Sequence, residues 1–331
     1  MTRNKKYSII LCLAFITALR GQDFHLSMYD AAPLFLNPAM TGLVDSKVRV
    51  HAHFRNQWNA VAYKPFTTGL VSVDLPHGKW GFGGQMSNMR AGIGNFNVFQ
   101  LVGSAAYTLP FDHEKYHNLS LGLQGGFTQK RLEYEVFTFD SQWSTTNGGS
   151  FDKSLSSNEN FNSNSQFQEV VNFGALYYYA KQQSRVNPFL GLSAFNLTRP
   201  KETFFGSSNR LPMRFFAHAG LRLNINELLY FTPKVLIYNQ ANITQKTYAL
   251  DAGYFFKGEK FYALAGYIYR AKDASIIYAG IKKENYIIKI GYDFNTSSLR
   301  ATTKTRGAYE ISITWLGFKA KNEEIKNCPR L

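Results

Sequence analysis

The stretch LFLNPAMTGLVDSKVRVHAHFRNQW, Leu34 to Trp58, changes character halfway along. It begins as an apolar run that Asn37-Pro38 interrupts, and it then alternates between two kinds of side chain. One side is basic or titratable and the other is apolar: Lys47, Arg49, His51, His53 and Arg55 oppose Val48, Val50, Ala52 and Phe54. Since successive side chains of a strand point to opposite faces, this pattern predicts a β-strand with one basic face.

Residues 1–21 have the layout of a secretory signal peptide. A basic start precedes an apolar run over about residues 7–18, and Gly21 precedes Gln22. The run is shorter than the roughly 20 residues that a membrane-spanning helix needs. Removing this segment takes four cations from the formal net charge of +15, which leaves +11. It also leaves Cys328 as the one cysteine, so the exported chain has no internal disulfide.

The rest of the chain reads as strands. No other segment has 18 or more consecutive apolar residues, which excludes a helical membrane protein. Frequent Tyr, Phe, Gly and β-branched residues favour strands. The pattern predicts fourteen: Lys47–Gln57, Phe66–Asp74, Trp80–Met89, Asn97–Tyr107, Asn118–Gln129, Val170–Lys181, Asn187–Leu197, Met213–Asn224, Leu229–Asn239, Gln245–Phe256, Lys260–Arg270, Ser275–Lys282, Tyr286–Phe294 and Ala308–Phe318.

The connections between these strands alternate in length. Those after even-numbered strands are short, whereas several after odd-numbered strands are long, and the Ser/Asn-rich segment Lys130–Glu169 has the composition of a mobile loop. Short turns at one rim, long loops at the other and an even strand count are typical of a transmembrane β-barrel. We therefore predict an all-β fold, an antiparallel barrel of about 14 strands, with 12–16 as the range.

In a barrel, the basic face of the first strand can lie on the inside. Arg49, His51 and their neighbours would point into a polar, wet interior, while Val50 and Phe54 would face lipid. In a soluble sandwich the same face would be exposed to solvent. Aromatic residues near strand ends favour the membrane: Trp58, Tyr63, Trp80, Tyr107, Tyr116, Tyr254, Phe255, Tyr269, Trp315 and Phe318.

A series of blocks resembles the PorP/SprF family of outer-membrane proteins, which belong to the type IX secretion and gliding system of Bacteroidetes. The blocks are QDFHLSMYDAAPLFLNPAMTGL, RNQW, FTTGLVSVD, FLGLSAFNLTRPKETFFG, LPMRFFAHAG, GYIYR and GYDFNTSSL with GAYEISITW, and they extend from Gln22 to about Phe318. Asn37-Pro38-Ala39 also resembles the amino-terminal motif of fatty-acid-channel (FadL-like) barrels, where that segment lies in or under the lumen.

The resemblance implies a non-enzymatic role in type IX secretion. Such a protein would assist export or surface anchoring of secreted proteins, an adhesin-like cargo among them. Its partners would be the cargo's C-terminal domain, the secretion machinery and outer-membrane lipid or lipopolysaccharide. The expected location is the outer membrane, with both termini periplasmic. The alternative is a FadL-like diffusion channel for small or hydrophobic solutes, and a purely structural scaffold is a third possibility.

The segment before the barrel is apolar, which indicates a role of its own. We divide the chain into a signal peptide (1–21), an amino-terminal segment (22–45), the barrel (46–318) and a polar tail (319–331). The segment 22–45 is too apolar to extend into water, so we expect it at the periplasmic mouth as a partial plug, as a docking strip for partners or as a stabilising arm. The residues that carry this hypothesis are Tyr29, Leu34, Phe35, Leu36, Asn37 and Pro38.

Other chemistry is poorly supported. His51 and His53 share a strand face, but the basic residues around them would repel a metal cation. His218 is the one mid-strand histidine outside the first strand, and the alternation places it on the inner face rather than in an outer-face catalytic cluster. The basic residues are dispersed rather than clustered, which does not indicate nucleic-acid binding. The sequence therefore predicts no enzyme, no metal and no cofactor.

Overall fold

The computed structural model describes residues 24–58, 64–146, 148–161, 163–181, 184–204, 209–298 and 300–317. The predicted signal peptide, the girdle residues Tyr63 and Phe318, and the tail with Cys328 lie outside these ranges.

The chain consists almost entirely of antiparallel strands. Fourteen of them form the barrel and two, β6 and β7, form a small hairpin within a loop. Their bounds are β1 Val48–Gln57, β2 Phe66–His77, β3 Trp80–Ala91, β4 Phe96–Pro110, β5 His117–Arg131, β6 Trp143–Ser144, β7 Ser150–Phe151, β8 Ser165–Tyr179, β9 Val186–Phe195, β10 Arg214–Asn224, β11 Leu229–Gln240, β12 Ile243–Phe256, β13 Phe261–Arg270, β14 Ala274–Lys283, β15 Tyr286–Asn295 and β16 Arg306–Gly317.

The barrel closes through its first and last strands. Each barrel strand pairs with its neighbours in the chain, and β1 pairs with β16 from Val48↔Gly317 to Gln57↔Ala308. Closure removes the sheet edge that an open sandwich would have to protect. The fourteen-stranded antiparallel barrel predicted from the sequence is confirmed, and every predicted strand overlaps an observed one.

The wall has the two faces that the alternation indicates. On β1, Arg49, His51, His53 and Arg55 are buried while Phe54 is 41% exposed. On β15 and β16 the outward residues Ile290 and Ile313 are exposed, whereas Asp293 and Glu310 are buried. Apolar side chains thus cover the outside of the barrel, as contact with lipid requires.

The two ends of the barrel differ. We call the end where β1 begins and β16 ends the terminal rim; its connections are the turns 78–79, 111–116, 180–185, 225–228, 257–260 and 284–285. We call the other end the long-loop rim; its connections are 58–65, 92–95, 132–164, 196–213, 241–242, 271–273 and 296–305. This asymmetry agrees with the loop lengths read from the sequence.

The longest loop has more structure than its composition indicates. It contains two 3-10 turns, Tyr134–Val136 and Asp140–Gln142, followed by the β6–β7 hairpin. The Tyr134 ring stacks on Phe161 with centroids 4.2 Å apart. Aromatic packing therefore organises a segment that the sequence analysis described as mobile.

The helices among the described residues are single turns. Tyr29–Ala31, Pro33–Leu36 and Pro38–Met40 precede the barrel, and Arg300–Thr303 precedes β16. No helix in the described ranges is long and apolar enough to cross a membrane.

Candidate functional site

The segment before β1 lies inside the barrel, and we call residues 24–47 the arm. Pro33 and Pro38 each begin a helical turn, a position that suits a residue with a fixed φ and no N–H group. Between these turns Asn37 is extended, and its Oδ1 accepts a hydrogen bond of 2.9 Å from the Ala39 N–H. Proline and asparagine thus give the arm the compact shape that fits a lumen.

The arm runs from the long-loop half of the lumen to the terminal rim. The Ser27 N–H donates to Glu310 Oε1 at 2.6 Å, and Glu310 lies near the long-loop end of β16. The Gly42 N–H donates to Asp74 Oδ2 at 2.7 Å, near the terminal end of β2. The first described residues are therefore deep inside the barrel, which differs from the expectation of a segment confined to the mouth near β1.

Three glycines of the wall make room for Asn37-Pro38-Ala39. A methyl group at Gly122 would lie 2.4 Å from the Pro38 carbonyl. A methyl group at Gly174 would lie 2.0 Å from Asn37 Oδ1. A methyl at Gly191 would lie 2.1 Å from His218 Nε2 and 2.9 Å from Asn37 Nδ2. Because these residues have no Cβ, the backbone of the arm packs directly on β5, β8 and β9.

Hydrogen bonds fix the arm in this cradle. Asn37 Nδ2 donates to the Ala175 and Leu192 carbonyls at 3.1 and 3.2 Å, and it lies 3.2 Å from His218 Nε2. The Ser193 hydroxyl donates to the Leu36 carbonyl at 2.8 Å. His218 is thus an inward histidine that contacts the arm.

An ion pair holds the terminal end of the arm. Arg49 binds Asp74 through two hydrogen bonds, Nε to Oδ1 at 2.8 Å and Nη2 to Oδ2 at 2.7 Å. Arg49 Nη2 also donates to the Met40 carbonyl at 3.1 Å, while Asp74 accepts from Gly42. Both members of the pair therefore contact the arm as well as each other.

A larger charge cluster holds the other end. Arg55 pairs with Asp293 at 3.1 Å and also with Glu310. Ser27 lies among them: its hydroxyl donates to Asp293 Oδ2 at 2.6 Å and accepts from Arg270 Nη1 at 3.0 Å. Glu310 Oε2 additionally accepts from the Met28 N–H at 2.8 Å. We call Ser27, Arg55, Arg270, Asp293 and Glu310 the latch.

A third set of charges lies between these two. Asp30 of the arm pairs with Lys234 of β11 at 2.6 Å and with Lys289 of β15 at 3.5 Å. Lys234 also pairs with Asp251 of β12. Charge pairs therefore join the arm to two strands of the wall, β11 and β15. Breaking a buried pair costs about 3–5 kcal/mol because one charge is left uncompensated.

Apolar side chains of the arm pack against one side of the lumen. Met28, Tyr29, Leu36 and Met40 belong to one apolar cluster with inward side chains of β8 to β14. Phe35 stacks on Phe24 with centroids 5.3 Å apart. The arm and the wall carboxylates thus occupy the space opposite the basic face.

The sequence-predicted site residues fall into two groups. Tyr29, Leu34, Phe35, Leu36, Asn37 and Pro38 are all buried in the arm. Of the basic face, Arg49 and Arg55 join the two ion-pair sites, His53 Nε2 lies 3.1 Å from Glu310 Oε2, and His51 Nδ1 lies 2.8 Å from Thr314 Oγ1. Lys47 differs from the prediction: it precedes β1 and is exposed.

Several residues of the site were not singled out from the sequence. Asp74, Asp293 and Glu310 are inward carboxylates whose partners come from other strands, and Gly122, Gly174 and Gly191 form the cradle. Strand alternation places Asp293 and Glu310 on the inner face, but only the register shows which cations they meet. Within the described ranges, no group of three or more His, Cys, Asp or Glu side chains is placed to hold a metal ion.

Two cavities adjoin the arm. One of about 30 Å³ lies between the arm and the wall near Phe216, Tyr238 and Arg270, with room for a few water molecules. The other, about 720 Å³, opens at the terminal rim between residues 41–44 and the turns after β2 and β4.

The turn after β4, which borders the larger cavity, is held by Asp112. Its carboxyl accepts hydrogen bonds from the Tyr116 and His117 N–H groups at 3.0 and 2.9 Å. Desolvation raises the pKa of Asp112, but these hydrogen bonds outweigh it and hold the pKa below its usual value.

We compared the sequence and the structure with those of known proteins. The model of the type IX secretion system membrane protein PorP/SprF matches residues 18–315. No curated protein matches the sequence. Among solved structures, the Ralstonia pickettii toluene transporter TbuX is similar with a TM-score of 0.50 and 9% identity, over 86% of this chain and 93% of that one. A Pseudomonas aeruginosa FadL homologue is similar with a TM-score of 0.43 and 13% identity, over 86% and 94%. The family match covers nearly the whole chain, and this protein belongs to the PorP/SprF family of type IX secretion system membrane proteins.

Proposed function

We propose that this protein is a non-enzymatic outer-membrane component of type IX secretion whose barrel is closed by its own arm. It assists the export or surface anchoring of secreted proteins, an adhesin-like cargo among them. Its partners are the C-terminal domain of the cargo and other components of the machinery. The family match supports the secretion role, and the fold supports the outer membrane.

The observation that carries this proposal is the attachment of the arm. Ion pairs hold it at Asp30 and through the latch, Arg49–Asp74 holds its terminal end, and the glycine cradle holds its middle. A barrel for diffusing solutes needs a continuous path. The two cavities beside this arm, about 30 Å³ near Arg270 and about 720 Å³ at the terminal rim, share no lining residue. The filled lumen therefore favours a secretion component over the alternative, a FadL-like diffusion channel.

The proposed arrangement in the membrane follows from the rims. The long-loop rim faces the cell exterior, and the terminal rim, with the tail 319–331, faces the periplasm. The chain is divided as the sequence suggests, with a signal peptide over 1–21, an amino-terminal segment over 22–45 that holds most of the arm, and the barrel over 46–318. We assign Tyr29, Leu34, Phe35, Leu36, Asn37 and Pro38 to the plug. A partner could reach their apolar side chains only after the arm had left the lumen.

Two measurements test the proposal. The purified protein in planar bilayers is expected to show little steady conductance, and a steady solute-selective current would favour the channel instead. In the source organism, deletion of the gene is expected to reduce surface-exposed type IX cargo in a surface-labelled proteome, and a plasmid copy should restore it. An unchanged surface proteome would overturn the secretion role.

A further inference from the structure

The outer wall carries a polar row close to the long-loop rim. Six outward residues on adjacent strands pair in register across β1, β2, β3, β4, β5 and β8: Asn56, Thr67, Arg90, Asn97, Arg131 and Ser165. Arg90 and Arg131 are separated by one strand, so their backbones lie about 10 Å apart. The row thus places two guanidinium groups on one stretch of the wall.

Both arginines point away from the lumen. On β3, Arg90 has the same parity as Phe82 and Met86, which are exposed on the outside, whereas Gln85 and Ser87 are buried. On β5, Arg131 has the parity of the exposed Leu123 and Phe127. Its neighbour Lys130 points inward and pairs with Glu202. The cationic row therefore belongs to the lipid-facing wall and not to the lumen.

Aromatic side chains adjoin the row on the side of the barrel's middle. The Phe127 ring lies 6.3 Å from Phe99 and 6.2 Å from Phe167, centroid to centroid. In this family of folds, aromatic residues mark the level where acyl chains meet headgroups. The row lies further toward the rim, two residues beyond Phe99 on β4 and four beyond Phe127 on β5. Arg90 and Arg131 are therefore placed at the level of the headgroups.

Neither guanidinium has a protein partner among the described residues. No ion pair or side-chain hydrogen bond involves Arg90 or Arg131 in those ranges, and the Glu133 carboxylate is bonded to Asn95 instead. Glu169 also faces outward, but it is four residues along β8 from the partner of Arg131, about 13 Å away. The two cations are therefore available to an external anion.

The opposite wall is different at the same rim. Phe215, Tyr269 and Phe294 are the exposed outward residues near the ends of β10, β13 and β15. The cations there are Lys246 on β12, Lys272 in the turn after β13, and Arg306, which pairs with Phe294 at the start of β16. Two arginines in one register, with Asn97 between them, are thus a feature of the β3–β5 wall.

We propose that Arg90 and Arg131 bind the phosphate-bearing headgroup of a glycolipid of the outer leaflet, of the lipid A type. Arginine forms paired hydrogen bonds to phosphate, and the aromatic side chains beneath offer contacts to the acyl chains. Asn97, between the two arginines, adds a polar group for the sugar. The inference rests on the proposed exterior position of the long-loop rim, but it does not depend on the secretion role.

The test uses the purified full-length protein. Delipidated protein in phosphatidylcholine nanodiscs is compared with and without diphosphoryl lipid A, and bound lipid A is counted by native mass spectrometry. The variant is Arg90→Gln with Arg131→Gln. The matched control, Lys246→Gln with Lys272→Gln, removes the same charge from the opposite wall. A third variant, Arg90→Lys with Arg131→Lys, keeps the charge. All three changes are exposed, and heat-modifiability on gels verifies that each barrel is folded.

The expected result is a loss of lipid A affinity of about tenfold or more in the double glutamine variant, since each charge-assisted hydrogen bond is worth about that factor. The opposite-wall control should bind as the unmodified protein does, and the lysine variant should retain most binding. Equal binding by the glutamine variant, or an equal loss in the control, would overturn the proposal. Equal binding of dephosphorylated lipid A would also overturn it. Cargo display is not measured, so a failure of the secretion role leaves this result unaffected.

Discussion

Gly122 lies directly beneath Pro38: a methyl group at Gly122 would be 2.4 Å from both the carbon and the oxygen of the Pro38 carbonyl. Gly125 is three residues further along the same strand and faces outward. A methyl there would meet the Val170 carbonyl at 3.9 Å, an ordinary contact. One strand therefore carries a glycine that the arm requires and another that it does not.

Gly122→Ala is accordingly expected to displace the arm. Overpacking of a close contact costs about 1–3 kcal/mol, and here the backbone of Pro38 has to move. We expect a lower urea midpoint for the variant and a rise in its planar-bilayer conductance. Gly125→Ala is the control and should match the unmodified protein in both measurements. Equal behaviour of the two variants would show that the arm is not held on β5 in the native barrel.

Glu310→Gln tests the latch. The neutral amide leaves Arg55 with one carboxylate, Asp293, and weakens the acceptor for the Ser27 N–H. Loss of one member of a buried pair costs about 3–5 kcal/mol. Chemical unfolding should report a loss of this order.

Lys257→Gln is the control for the latch experiment. It breaks the exposed pair with Glu227, where the side chains are 66% and 89% accessible and the atoms are 3.4 Å apart. A surface pair contributes about 0–1 kcal/mol. Similar losses in the two variants would mean that the latch adds no more than a surface pair does.

The barrel was predictable from the sequence because it depends on local patterns. Alternation in Tyr286–Phe294 and Ala308–Phe318 fixed the inner and outer faces, and loop length distinguished the two rims. These features repeat every two residues or every strand, so an error of a few residues at a boundary does not change the fold.

The site depends on contacts that no local pattern contains. Ser27 meets Glu310 across nearly the whole chain, and this contact exists only once β1 has paired with β16. Gly122 and Gly125 look alike in LGLQGG, yet only Gly122 lies under the arm. Lys47 keeps the parity of the basic face, but β1 begins one residue later. A plug is among the roles expected for residues 22–45, but the carboxylates that neutralise Arg55 come from strands distant in the sequence.

The orientation of the barrel is tested by proteolysis. Lys153 lies in the loop between β5 and β8, and Lys257 and Lys260 lie in the turn between β12 and β13 at the other rim. With the long-loop rim outside, trypsin added to intact cells should cut after Lys153 and leave the other two sites intact. Both rims should be cut once the outer membrane is permeabilised. Cleavage at Lys257 in intact cells would reverse the proposed orientation.

The arm itself is tested by replacing Leu34, Phe35 and Leu36 with serine. Their side chains are at most 4% exposed, and removing a large buried apolar side chain costs about 2–5 kcal/mol. The barrel wall is closed by continuous strand pairing without the arm, so we expect a heat-modifiable barrel that still reaches the outer membrane. The arm should then leave its cradle, and bilayer conductance should rise.

Cargo display in the same cells connects the plug to the proposed function. If closure by the arm is required for secretion, surface-labelled cargo should fall while the amount of barrel stays constant. A matched variant, Phe215→Ser, removes an apolar side chain from the outer wall and should leave conductance unchanged. A barrel that assembles, conducts no more than before and displays normal cargo would show that these three residues neither close the lumen nor act in secretion. A barrel that fails to assemble would instead contradict the expectation that the wall folds without the arm, because the arm would then belong to the core that the strands need.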